Sequence, residues 1–100
     1  MRRITMTKST GNVFRDLGFG PEEAASLRIR SQLMIEISET IRRRKLTQVN
    51  AAKLLGVTQP RISDLVRGKL DLFSIDMLVD MVTRTGAVIE VAVKRPRRAA

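Results

Sequence analysis

Residues 46–69 read LTQVNAAKLLGVTQPRISDLVRGK, and the order of caps, breakers and apolar positions in this stretch sets the fold. Thr47 has the side-chain oxygen an N-cap needs, with Leu46 before it and Ala51 placed as a weak hydrophobic staple. A short helix reaches Leu55, and Gly56 stops it, since a residue without Cβ makes a left-handed turn at little steric cost. Thr58 caps the next helix, and Pro60 sits in its first turn, where no intrahelical donor is lost. Ile62, Leu65 and Val66 form that helix's apolar stripe, and Gly68 ends it.

Two short helices joined at a glycine, spanning Gln48 to Arg67, have the size and punctuation of a helix-turn-helix. Ala52 is small where the two axes approach, Val57 fills the space under the turn, and Ile62 and Leu65 press the second helix onto the first. On a helical wheel Pro60, Asp64 and Arg67 point away from the buried side, with Arg61 and Ser63 flanking them. That face is the one a major groove would meet. Arg61 suits bidentate reading of guanine, and Asp64 suits acceptance from a cytosine amino group. Asp64 equally suits a local pair with Arg61 or Arg67 at i, i+3 spacing, and Gln59 lies nearer the buried side by angle. An αα-hairpin with no nucleic-acid partner shares the same local pattern.

Charge favours the nucleic-acid reading. The 100 residues, 43% apolar and 29% charged, have the composition of a single globular domain and carry 19 Lys and Arg against 10 Asp and Glu, a formal +9. Residues 41–69 hold eight basic side chains against Asp64 alone, a net of +7, while the flanks on either side are each +1. The motif segment is therefore the part expected to meet a polyanion. With no His and no Cys, metal binding and acid/base catalysis lose their usual groups, and no spacing of Ser, Thr, Lys or Asp marks an activated nucleophile. No cofactor or metal is expected, and no enzymatic site. Phe14, Phe19 and Phe73 are the only aromatics, too few for the stacking platforms of single-strand binders, so duplex binding fits better. No stretch has the length and apolarity of a membrane span, Met1 to Thr10 lacks an apolar core after its arginines, and Gly56 and Gly68 divide the basic segment. A soluble cytoplasmic protein with no membrane role is expected, associated with the bacterial nucleoid when bound to DNA.

Outward from the motif, Met1 to Gly11 shows no period, and residues 1–10 read as a flexible arm. A single domain is expected over residues 11–94. Pro21 with Glu22 and Glu23 marks a helix start, and Leu33, Ile37 and Ile41, with Met34 beside them, form an amphipathic stripe ending in Arg42, Arg43, Arg44 and Lys45. That basic run suits either a solvated helix end or phosphate contact. Ser74 caps a further helix carrying Ile75, Leu78, Val79 and Val82, with Phe73 placed to staple onto Leu78 and Asp80 four residues before Arg84. Gly86 closes it. Met34, Met77 and Met81 are read first as core filler and second as interface. Ala87 to Val93 alternates with the period of a strand, and residues 95–100 read as a basic disordered tail.

The run Leu46 to Lys69 resembles the Cro/repressor-type, XRE-like helix-turn-helix family. The resemblance implies a mainly α, lambda-repressor-like bundle of four to five helices over roughly Arg30 to Gly86, with strand-like sequence where the family's last helix usually lies. It further implies that Gln48 touches backbone phosphate, that Gln59 reads a base from the tip of the second motif helix, and that Lys69 contacts phosphate. Pro60 departs from the polar base reader often found there, which bears on the operator sequence and not on groove docking. The expected base-reading set is thus Gln59, Pro60, Arg61, Ser63 and Asp64, and the expected phosphate set is Arg43, Arg44, Gln48, Thr58, Arg67 and Lys69. The flanks, Gly11 to Phe19 and Ala87 to Arg95, resemble the HigA-like antitoxin subgroup, which implies a dimer that represses its own operon and pairs with a RelE-like ribonuclease toxin.

A lone strand leaves its backbone groups unpaired, so Ala87 to Val93 must find a partner. Pairing of Val88, Ile89, Val91 and Val93 across a two-fold axis, or with another protein's sheet, competes with an intramolecular partner near Val13 and Phe14. The homodimer is preferred here, because two-fold symmetry gives paired helices for a palindromic site. The leading expectation is a sequence-specific duplex-DNA-binding repressor with residues 59–67 as its recognition helix; the alternative is a toxin-neutralising interaction module whose DNA binding is secondary.

Overall fold

The computed structural model describes residues 3–8 and 17–95. Its elements run β1 (Arg3–Lys8), α1 (Pro21–Arg43), α2 (Gln48–Leu55), α3 (Gln59–Val66), a 3-10 turn (Leu70–Leu72), α4 (Ile75–Arg84) and β2 (Val88–Val93). The two helical signals before the motif merge into one helix of 23 residues, α1, with Pro21 in its first turn beside Glu22 and Glu23, and Arg42 and Arg43 in its last. Its inner face contributes Leu33, Met34, Ile37 and Ile41 to the core. No helix among the described residues is long and apolar enough to cross a membrane.

Three successive helices end in the same way. The amide of Leu46 bonds the Ile41 carbonyl at 3.0 Å, that of Val57 the Ala52 carbonyl at 3.1 Å, and that of Lys69 the Asp64 carbonyl at 3.1 Å. Each closure needs a left-handed residue just before it, supplied by Lys45 (φ 55), Gly56 (φ 68) and Gly68 (φ 73). Helix starts are equally regular. Thr47, Thr58 and Ser74 accept from the amides of Asn50, Arg61 and Met77, so the caps read from sequence form.

The core joins the inner face of α1 to Ala51, Leu55, Ile62, Leu65, Phe73, Leu78, Met81, Val82 and Ala87. Met34 and Met81 are buried as core filler, and Met77 packs at its edge. Val66, assigned above to the buried stripe of α3, is instead 48% exposed. The buried arc of α3 is centred between Ile62 and Leu65, which carries Val66 outward and draws Arg61, on the other flank, toward the protein.

The reading of residues 1–10 as an arm fails at Arg3–Lys8, which pairs in parallel with β2 in the register Arg3 to Val88 through Lys8 to Val93. The whole helical bundle forms the crossover that a parallel pair requires. Ile4 and Ile89 pack against the core while Arg3 Nε meets Glu90 Oε1 at 3.0 Å on the other face. The strand's intramolecular partner is therefore β1; Val13 and Phe14, near which such a partner was expected, lie outside the described residues, as does the tail from residue 96.

Candidate nucleic-acid interface

Helix α3 is pinned by Ile62 and Leu65, so its opposite side is held outward as a rigid strip. Gln59, Ser63 and Arg67 follow one another at i, i+4, i+8, with Pro60 beside them; Gln59, Pro60 and Arg67 are exposed and Ser63 is half-buried. Gln59 is thus on the open face, although its wheel angle alone would not select it. Gln48 stands exposed in the first turn of α2, and Thr58, also exposed, spends a lone pair on the Arg61 amide at 3.4 Å while its hydroxyl proton stays available. The strip offers an amide, a hydroxyl and a guanidinium, the donors and acceptors that base edges and phosphates engage.

Arg61 is not part of that strip. Its guanidinium turns back across the turn that follows α3, where Nη1 donates to the Leu72 carbonyl at 3.1 Å and Cζ lies 5.6 Å from the centre of the Phe73 ring. For Arg61 to read guanine it would have to leave both contacts: the buried arc of α3 lies on its side, and a carbonyl and an aromatic face engage its charge. Asp64 is likewise committed, 3.6 Å from Lys69 Nζ, so the local pairing envisaged for Asp64 occurs with Lys69 and not with Arg61 or Arg67. A base-reading role for Asp64 and a phosphate role for Lys69 both require that ion pair to open.

Two more of the basic groups brace the frame. Arg44 Nη2 donates to the Thr85 carbonyl at 2.8 Å, placing a cation at the C-terminal end of α4 where the helix dipole favours it. Arg43 Nη2 donates to Thr40 Oγ1 at 3.2 Å within its own helix, and the Asp80–Arg84 pair expected from spacing closes at 2.9 Å. Sequence reasoning gave no role to Arg30, whose Nη1 donates to the carbonyls of Leu70 at 3.0 Å and Phe73 at 3.4 Å, anchoring the segment that also receives Arg61. A single arginine in an amphipathic helix carries no local signal for a contact 40 residues away.

A braced helix pair with one polar, outward strip on its second helix, set in a basic segment, defines a helix-turn-helix DNA-binding protein. The chain belongs to the helix-turn-helix domain family, whose model matches residues 13–94. It is also similar to a solved structure described as an XRE family transcriptional regulator, at 28% identity and a TM-score of 0.69, over 78% of this chain and 91% of that one. No curated protein matches the chain significantly. Together these make it a DNA-binding regulator of transcription with the XRE-like fold.

Proposed function

We propose that the chain is a sequence-specific repressor that docks α3 in the major groove and acts as a two-fold dimer on a palindromic operator of its own operon. The observation that carries this is the outward strip Gln59, Ser63 and Arg67 on a helix fixed by buried Ile62 and Leu65, in a segment of net +7. Gln59 and Ser63, with Pro60 shaping the tip, read bases; Gln48, Thr58, Arg67 and, once released from Asp64, Lys69 hold phosphates. The protein works in the cytoplasm, on the nucleoid.

The test is binding of a duplex spanning the promoter of its own gene against a scrambled duplex, titrated over salt. A steep log–log decline and a preference for the promoter are expected. Equal affinity for both duplexes at physiological salt contradicts the proposal.

An antitoxin role fits within the same reading: the family match reaches back to residue 13 and so takes in most of the flank that resembles HigA-like antitoxins. Its partner would be a RelE-like ribonuclease, neutralised by this chain while the complex represses the operon. Co-expression with the adjacent gene and joint purification decides the matter. Absence of a small basic protein encoded beside this gene counts against the role.

A further inference from the structure

The two-stranded parallel sheet is physically incomplete. Parallel sheets are normally covered on both faces, and two strands alone are marginal in water. Here the face that begins on the core with Ile4 and Ile89 runs on past the bundle, where Val91 and Val93, on the same side by the period of two, stand 70% and 68% exposed. Among the described residues, β1 takes one edge of β2 and no strand takes the other.

We propose that the free edge of β2 pairs antiparallel with the same edge of a second copy, about a two-fold axis at Ala92, giving a continuous sheet in the order β1–β2–β2–β1. This rests on the dimeric operator reading above and supplies its seam. The register follows from charge and apolar pattern. Ala92 faces its own copy, Val91 faces the second copy's Val93, and Glu90 faces the second copy's Lys94, each of the last two pairs occurring twice. A two-fold at Glu90 would oppose like charges, and one at Val91 would set Lys94 against Val88.

The chain has no Cys, so single cysteines report the seam cleanly. Ala92→Cys is expected to give a disulfide-linked dimer on mild oxidation, because directly opposed Cα atoms in an antiparallel pair lie about 4.5–5.5 Å apart. Val91→Cys, offset by two residues from its copy, and Thr5→Cys, three strands away, are expected to stay uncoupled. In sedimentation equilibrium the wild-type chain is expected to dimerise, Glu90→Lys to weaken association about tenfold, and the added Lys94→Glu to restore it. Restoration sets the seam apart from a merely structural loss of the Arg3 pair, which the second change cannot repair. A chain that stays monomeric overturns the proposal. So does a dimer that resists cross-linking at Ala92 or links instead through Val91 or Thr5, and this last result leaves the operator reading standing. That reading fails on its own measurement, if the wild-type chain shows no preference for its promoter duplex.

Discussion

Arg61 sits on α3, the helix proposed to enter the groove, yet its guanidinium contacts the frame. Its hydrogen bond to the Leu72 carbonyl and its place over Phe73 hold the turn after α3 against the helix that presents Gln59. A charged hydrogen bond to a half-exposed carbonyl and a partly solvated cation–π contact contribute about 1–2 kcal/mol together. Arg61→Ala is therefore expected to lower stability to urea by that amount and to weaken every duplex alike. Gln59→Ala is expected to leave stability within about 0.5 kcal/mol and to relax preference at one base pair. Binding to a panel of singly substituted duplexes separates the two, and a change of preference in the Arg61 variant would contradict its assignment. Lys45 makes a second residue-scale case. It occupies the left-handed position that glycine fills at the two later helix ends, a strain of about 1–2 kcal/mol that exceeds the entropic cost of glycine, about 0.5–1 kcal/mol. Lys45→Gly should raise the unfolding free energy by up to about 1 kcal/mol in thermal or urea denaturation.

Elements whose signals are local were legible in the sequence. Thr47, Thr58 and Ser74 announce their helices because a side-chain oxygen bonds an amide three residues on, and Gly56 announces its turn because the backbone there is left-handed. Signals that depend on distant partners were not. β1 is six residues whose partner lies 85 positions later, so nothing in Arg3–Lys8 alone distinguishes a strand from an arm. The same limit hid the inward turn of Arg61: a wheel drawn on three apolar residues counted Val66 as buried, and moving the arc to Ile62 and Leu65 reverses both assignments. The strand carries its own prediction. A chain lacking residues 1–8 is expected to keep its helical circular dichroism while the alternate amides of Val88–Val93 that bond β1 lose protection from hydrogen exchange, since their ladder goes with it; the amides on the other edge keep theirs through the second copy. Retained protection at the β1-facing amides in that variant would mean that this edge of β2 is held by something other than its parallel partner.

Over the whole molecule, the net charge divides into braces and free groups, and that division sets the response to salt. Of the eight basic side chains in residues 41–69, Arg43, Arg44 and Arg61 donate to Thr40, Thr85 and Leu72, and Lys69 pairs with Asp64. Arg42, Lys45, Lys53 and Arg67 are exposed and make no such side-chain contact among the described residues. If the three arginine tethers stay in place on binding and Lys69 is released as proposed, about five phosphates are neutralised per protomer, and the slope of log affinity against log salt should be near −4.5 per protomer, where counting all eight would give about −7. Arg44→Ala then separates the classes. It is expected to leave the slope unchanged and to lower stability by about 1 kcal/mol, because the exposed C-terminal end of α4 loses a charge-assisted bond. Arg67→Ala should do the reverse, flattening the slope by about 1 with little change in unfolding. A wild-type slope nearer −7 would mean that the tethered arginines let go of their carbonyls when DNA arrives, making the frame itself part of the interface.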